Sequence, residues 1–584
     1  MHIRDDKSSK GLHHRTARPR QPTDLATPEA ELSKLPYTNC RTRILNLKHL
    51  PDIPTGKDVS DEQYREIFQR YLDAKRHSSS FHANASDNSV RDEANKNAGL
   101  EESQLLRSAI QSLTTGIAPP VAFPTETVYG LGADATNGAS IAGIFAAKGR
   151  PGDNPLIVHV SSVAHLEKCL GGTETDSAIP KVYRELIDQF WPGPLTILVP
   201  VPEDGKGVKF APNVHPGQKT IGFRLPKSPY ARFLIAVADR PIAAPSANSS
   251  GKPSPTTALH VKEDLDGKIN FILDGGECKV GVESTVVDGL HDPPLILRPG
   301  GLSKRDLREW GIKQGNIWQH VQNGWEYKTG VKRKREAVTD TVHPATKTSK
   351  AAHNDSDGAN VYDSPTIQTP NNEHSDLELE SDISAAPRAP GMKYKHYAPS
   401  GRMFLFEAPS RCSIEARTKA VYDKLGELLN ARKPEPNRAH GSPKKLEDEV
   451  PTHHLTIGIL TSVSWPELAG LQEEWHQLYP AWSDASAPRH LSGHGPAHYS
   501  LSKPADVEGL PAKDVQLYGI PLGKDSESIA QNLFAALRTC DALSCEWIFV
   551  EAPSSGDAST EQDNEEFETV LERMRKAASE ITKV

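Results

Sequence analysis

Apolar and polar positions recur with a regular period in two blocks of this 584-residue chain and lose that period before and between them. In the first block Val121, Ala122 and Phe123 predict a buried strand, which Pro124 ends because proline cannot donate to a central ladder. Gly130 and Gly132 follow in a loop that lets backbone approach a ligand closely. Ile141, Ile144 and Phe145 stand at helical spacing and predict a helix over about 140–148. Leu156 to Val160 predicts the next strand, with His159 among apolar neighbours. Upstream, Arg41 to Leu50 predicts a first strand, and Tyr64, Ile67, Phe68, Tyr71 and Leu72 predict a helix within 58–76. The stretch of about 58–97 reads as an insertion ahead of a helix over about 101–113. From Pro119 to Leu302 strands and helices alternate with short turns, the pattern of a compact α/β domain. Beyond Trp310 the pattern fades.

The second block offers strands at Arg402 to Phe406, Thr456 to Leu460, Val515 to Ile520 and Trp547 to Glu551. Ser526 to Arg538 reads as a capped helix with Ile529, Leu533, Ala536 and Leu537 on one face. Pro434 to His454 and Trp482 to Pro511 read as loops rich in Pro, His and Ser. The expected organisation is a disordered tail over 1–40, a first domain over 41–315, a disordered linker over 316–388, a short ordered motif over 389–400 and a second domain over 401–584. A hydrophobic content of 36% with 46 prolines agrees with long unpacked stretches.

No run approaches the eighteen or so apolar residues of a membrane span. The polar, basic N-terminus lacks the apolar core of a secretory signal, so a cytoplasmic protein is expected. Six cysteines without CxxC spacing predict a reducing compartment and no structural zinc. Lys332-Arg333-Lys334-Arg335 reads as a solvated basic patch, with a nuclear localisation signal as the alternative.

Candidate chemistry gathers at strand ends. No GxxxxGK[ST] occurs, and Gly130-x-Gly132-x-x-Ala135 lacks the strand and helix context of a dinucleotide fingerprint. Lys148 and Arg150 close the predicted helix, where basic residues commonly just meet the helix dipole. Pro245-Ser246-Ala247-Asn248 ends an apolar strand and runs into SSGKPSPTT, where Ser254 can cap a helix, the kind of opening that holds phosphate on backbone N–H groups. Arg224 and Arg298 end two further apolar strands. Arginine at such exits is expensive to bury unpaired, so an anionic ligand is the natural partner. Between Ala118 and Leu302 there are 17 Lys plus Arg against 19 Asp plus Glu, a net of −2. The cations are therefore placed rather than spread, and bulk attraction to nucleic acid is not visible. His159 and Ser284 each read as ordinary strand polarity when taken alone.

These motifs, PTETVYGLG, KGRPGDNPLIVHV, FWPGPLT, GFRLP, PSANSSGKPSPT, VESTVVD and LRPG, stand in the order of one family. The chain resembles the two-domain threonylcarbamoyl-AMP synthases, whose tetrad falls on Lys148, Arg150, Ser246 and Asn248. The resemblance implies a YrdC-type domain built on a twisted mixed sheet, followed by a smaller Rossmann-like α/β domain. It implies that L-threonine, bicarbonate or CO2, and ATP with Mg2+ are condensed to threonylcarbamoyl-AMP and pyrophosphate for tRNA threonylcarbamoyladenosine modification, the product passing to the tRNA-modifying machinery. Carried over by position, threonine meets Thr127, His159, Arg224, Ser246 and Ser284. ATP meets Lys148, Arg150, Asn154, Thr220, the Ala244 backbone, Asn248, Ser254, Arg298 and, from the motif APGMKYKHYAPSG, Tyr397 as a lid. Lys148 and Arg150 are the expected catalytic cations, no residue is a metal ligand, and no strong general base stands in the motifs. The rival reading is a tRNA- or double-stranded-RNA-binding module without catalysis. A hydrogenase-maturation carbamoyltransferase would add an acylphosphatase domain and Cys-rich zinc motifs. The second domain departs from the family near its end, where Ser555 to Asn564 replaces a glycine-rich segment.

Overall fold

A computed structural model describes residues 40–77 except 51 and 52, 89–325 except 117, 174 and 204, 397–431 except 410 and 411, 455–462, 515–553 and 567–584, with short pieces between 465 and 502. The expected tail, the basic run Lys332–Arg335, most of the linker, the lid motif before Tyr397, the loop 434–454 and the segment 555–564 lie outside the described residues.

The first domain is one mixed sheet of eleven strands: β1 Arg43–Asn46, β2 Val121–Phe123, β3 Gly130–Asp134, β4 Ile157–His159, β5 Leu195–Pro200, β6 Thr220–Arg224, β7 Ile242–Ala243, β8 Phe271–Asp274, β9 Thr285–Asp288, β10 Leu295–Arg298 and β11 Gln322–Asn323. They lie in the order β1-β8-β2-β3-β7-β4-β6-β5-β9-β10-β11. β4 and β6 run parallel, with His159 paired to Arg224 at their ends. β7 runs antiparallel to both β3 and β4. Buried runs such as Leu195–Val199 show no polar alternation because both faces of the sheet are covered.

One face carries the main core around Ile144, Val158, Leu186, Ile197 and Phe223. The other carries a second core in which helix Asp61–His77 packs on helices Ser89–Thr114 and Pro229–Ala238. Tyr64 and Phe68 both meet the edge of Phe233. Within the stretch expected as an insertion, helix Asp61–His77 thus belongs to the domain's second layer: buried Arg232 donates to the carbonyls of Gly56 and Val59 at 2.7 and 3.2 Å, tying that layer down. Helix Ser89–Thr114 begins well before the expected 101, because its polar first turns carry no apolar period to announce them. Order also continues past Trp310, where Trp318 is buried in the main core and its indole donates to the Val182 carbonyl at 3.1 Å.

The second domain has five parallel strands in the order β17-β13-β18-β12-β19, namely Val515–Pro521, Leu455–Thr461, Trp547–Glu551, β12 Arg402–Glu407 and β19 Glu580–Lys583. β16 (Ala497–Ser502) adds antiparallel to β17, with β14 (Ser483–Asp484) and β15 (Arg489–His490) paired on β16. The expected loop 482–511 therefore contains a strand, whose His- and Ser-rich sequence hides it. Helix Ser526–Ala542 starts in a capping box between Asp525 and Ser528. No described helix is long and apolar enough to cross a membrane.

Candidate active site

The site begins with local capping. Asn137 accepts from the N–H groups of Ala139 and Ser140 at 2.9 and 3.1 Å and starts the helix Gly138–Lys148. Gly149, with φ of 60°, ends it in the left-handed conformation that glycine adopts without penalty. Lys148 therefore sits in the last turn, and Arg150 leaves it toward the sheet. The Pro-Ser-Ala-Asn turn is laid on β3 by backbone bonds from Leu131 to Pro245 and from Ala247 to Tyr129, both 2.8 Å. Ser246 Oγ donates to Asn248 Oδ1 at 2.5 Å, and Asn248 Nδ2 donates to the carbonyls of Ser249 and Lys252.

One cavity opens at these strand ends. Its wall brings together Thr127, Arg150, His159, Arg224, Ala244, Ser246, Asn248, Ser254, Ser284, Arg298 and Tyr397. Three buried guanidiniums face it, each anchored from behind. Arg150 donates to the Pro155 carbonyl at 3.3 Å. Arg224 donates to the Gly193 carbonyl at 3.2 Å and to Glu126 Oε1 at 2.7 Å. Arg298 donates to the Ser284 carbonyl at 2.9 Å and to Ser284 Oγ at 3.1 Å.

Three expected site residues do not line this cavity. Lys148 lies behind the wall, where its ammonium donates to the carbonyls of Ser246 and Asn248 and to Asn248 Oδ1. Burial first, then Arg150, pushes its pKa well below the ordinary lysine value. Its geometry holds the Ser-x-Asn turn in place instead of presenting a charge to the cavity. Thr220 opens β6 four positions before Arg224, about 13 Å away along an extended strand, and lines a second, smaller cavity beyond Ile157 with His215 and Thr196. Asn154 is buried, and its Oδ1 has no hydrogen-bond partner among the described residues.

The neutral groups are fixed as firmly. Thr127 is fully buried, and its hydroxyl shares a 2.9 Å bond with Thr125. His159 Nδ1 lies 3.2 Å from the Ile157 carbonyl, and burial followed by Arg224 pushes the ring's pKa down to about 3. This imidazole is neutral at any physiological pH and accepts no proton there. Tyr397 closes the cavity with φ of 67°, a left-handed conformation rare for a bulky residue. Its ring stacks on Phe534 at 5.1 Å, and Ala398 N–H donates to the Gly251 carbonyl.

Sequence reasoning missed Thr125, Lys252 and Glu283 on the wall, and Glu126 and Arg573 behind it. Glu126 and Glu283 lie inside the motifs PTETVYGLG and VESTVVD, where a carboxylate next to a predicted anion site was itself a signal. Arg573 gave none, because its partner is 290 positions away.

A two-domain α/β protein with three anchored guanidiniums and several hydroxyls around one cavity is suited to small anionic ligands. Comparison with known proteins narrows that class. Residues 118–300 match the family described as "Telomere recombination", and residues 367–579 match "Threonylcarbamoyl-AMP synthase, C-terminal domain". The threonylcarbamoyl-AMP synthase of Schizosaccharomyces pombe is 34% identical over 475 residues, covering 79% of this chain and 85% of that protein. That of Pyrococcus abyssi is 40% identical over 307 residues, covering 53% and 69%. A solved structure of P. abyssi Sua5 complexed with L-threonine superposes with a TM-score of 0.50 at 30% identity, covering 82% of this chain and 96% of that one. The chain belongs to the threonylcarbamoyl-AMP synthase family.

Proposed function

We infer that this protein is an L-threonylcarbamoyladenylate synthase, joining L-threonine, CO2 supplied as bicarbonate, and ATP into threonylcarbamoyl-AMP with release of pyrophosphate. The observation that carries this reading is the convergence of Arg150, Arg224 and Arg298 with Thr127, His159, Ser246 and Ser284 on one cavity. Arg224 takes the threonine carboxylate, since a guanidinium matches its two oxygens. Thr127 and the neutral His159 meet the side-chain hydroxyl, and Ser246 and Ser284 flank the amine. The phosphates of ATP lie toward Arg150, Arg298, Asn248 and Ser254, with the Ala244 backbone beneath. Lys148 acts through the turn it holds, and Asn154 through Arg150's loop. Thr220 would meet ATP only if the nucleotide reaches past Ile157.

The threonine amine nitrogen bonds to the CO2 carbon and its proton passes to the hydroxide left when bicarbonate yields CO2, giving a carbamate and water. A carbamate oxygen then bonds to the α-phosphorus as the bond to the β-phosphate oxygen breaks, and pyrophosphate leaves with the charge. Two anions must approach, so cations fixed beforehand at the α-phosphate lower the barrier; Arg150 and Arg298 fill that role. His159 is too weak a base to help, while Glu126 and Glu283 are each committed to an arginine. Positioning and electrostatics therefore supply most of the acceleration. Mg2+ would come with ATP as part of the substrate and would help to neutralise the triphosphate. Tyr397 excludes water from a carbamate that hydrolyses readily. The product, a mixed anhydride with AMP, passes to tRNA-modifying partners in the cytoplasm.

Purified protein is expected to form the AMP-linked product, identified by its mass, only when threonine, bicarbonate and Mg·ATP are all present. Equal turnover of serine would overturn the threonine pocket. A salt-sensitive gel shift with tRNA, without any product, would favour the RNA-binding reading instead.

A further inference from the structure

The second domain touches the back of the cavity wall through a buried arginine. Helix Glu568–Ala577 carries Arg573, which is fully buried. Its Nε and Nη2 each donate to Glu283 Oε2 at 3.2 Å, Nη2 also donates to the Pro299 carbonyl at 2.5 Å, and Nη1 donates to the Thr569 carbonyl and to Glu572. The guanidinium stands 5.9 Å from the ring of Tyr397. The other oxygen of Glu283 accepts the Ser254 hydroxyl at 2.8 Å. Glu283 thus stands in the cavity wall between Ser254 and Ser284, the residue on which Arg298 is anchored.

A carboxylate in the wall of a polyanion site poses an electrostatic problem. It repels the phosphates, and it competes with them for the nearest guanidinium. Burial alone would push the Glu283 carboxyl up, but Arg573 first, then Arg298 and the Ser254 hydroxyl, hold it below the usual carboxylate range. The charge persists, and something other than substrate must balance it. Arg573 does so with two bonds from outside the cavity.

We propose that Arg573 is a positioning residue for the phosphate wall: by occupying Glu283 it keeps Arg298 from turning onto that carboxylate and leaves it directed at ATP. The wall is then complete only when the second domain is docked. This rests on the reading of the cavity as the ATP site.

The test is a double-mutant cycle read by initial rates with ATP and threonine varied separately. Arg573→Met keeps the buried alkyl chain and removes the charge; it is expected to raise KM for ATP by about ten-fold or more, the scale of one charge-assisted contact, with KM for threonine little changed. Adding Glu283→Gln, which still accepts the Ser254 hydroxyl but carries no charge, is expected to bring KM for ATP back to within about three-fold of the parent. A purely structural role for Arg573 gives no such rescue, so a folded double variant as poor as the single one overturns the proposal. Should the Met variant fail to fold, Arg573→Lys and the double variant, which has no uncompensated buried carboxylate, carry the comparison. Both must then keep KM for ATP within about three-fold of the parent, since each leaves Glu283 either paired or neutral; a rise of about ten-fold or more in either overturns the proposal. Parent protein that makes no AMP-linked product would sink the functional reading itself, a different outcome from an active parent whose double variant is not rescued.

Discussion

Replacing Arg224 separates the two roles this side chain performs. Its Nη2 pairs with Glu126 at 2.7 Å, with side chains only 4% and 9% exposed. Removing one partner of such a pair costs about 3–5 kcal/mol, because the other charge stays buried. Glu126 retains the N–H groups of Lys227 and Ser228 at 2.9 and 3.3 Å, which places Arg224→Ala near the lower end of that range. Arg224→Lys is the better probe: it keeps a positive charge beside Glu126 but loses the planar fork that matches a carboxylate. One charge-assisted bond is worth about 1.5–3 kcal/mol, or roughly ten- to more than one-hundred-fold in affinity. The lysine variant is therefore expected to raise KM for threonine by that factor while KM for ATP stays put, measured by pyrophosphate release at saturating bicarbonate. A folded Arg224→Lys protein with unchanged KM for threonine would refute the placement of the amino acid carboxylate.

Three further outcomes follow from neighbouring geometry. His159 titrates at about 3 in the folded protein, against about 6.5 unfolded; between those values the unfolded chain binds the extra proton, so stability is complete above pH 6.5 and falls by roughly 1.4 kcal/mol per unit below it. Urea denaturation at pH 6.5 and 5.0 should show about 2 kcal/mol of this loss, and His159→Gln should remove it, leaving the share of His260, pushed down to about 4; an unaltered slope contradicts the assignment. A Cβ at Gly300 would run into the backbone of Glu283, Ser284 and Thr285, so Gly300→Ala is expected to lose about 1–3 kcal/mol or more in thermal unfolding and to raise KM for ATP by displacing Arg298's anchor. Tyr397→Ala removes the stack on Phe534, worth about 0.5–1.5 kcal/mol, and uncovers the cavity; product formed per pyrophosphate released should fall below that of the parent, and a constant ratio would mean that the cover does not protect the intermediate.

Much of the first domain was legible because strong local signals agreed there. Pro124 marks a turn by backbone chemistry alone, and short apolar runs fix the strands whose ends carry Arg224 and Arg298. Eleven of the fourteen expected site residues meet on one cavity for that reason. The exceptions are instructive. Lys148 shares the motif with Arg150, yet the left-handed turn at Gly149 sends the two side chains apart, one into carbonyls behind the wall and one toward the cavity. Thr220 and Arg224 share a strand face, but an extended chain separates them by about 13 Å. The helix Asp61–His77 was legible as a helix, whereas its place in the second core depends on Arg232 and Phe233, some 170 positions away. Strand β16 escaped notice because antiparallel pairing on β17, not side-chain pattern, defines it.

Long-range charge placement explains why the second domain was the least legible part. Four of its strands and helix Ser526–Ala542 are readable from period, but what it does for the cavity is carried by two buried arginines with partners in the first domain. Arg573 holds Glu283, and Arg538 donates to Asp264 at 2.8 Å and to the Pro253 carbonyl at 2.6 Å. Asp264 also accepts from Ser249 N–H and Lys252, so Arg538 fixes the loop that carries Ser254. Buried ion pairs of this kind add little net stability compared with apolar packing. Their value lies in orientation: each fixes a loop that ends in a cavity residue. A net charge of −2 between Ala118 and Leu302 is compatible with an anion site because Glu283 and Asp264, beside the cavity, are each tied to an arginine of the second domain. Arg538→Met should then raise KM for ATP through the Ser254 loop while KM for threonine, set by Arg224, is unchanged. Parallel rises in both constants would mean that the second domain acts on folding alone.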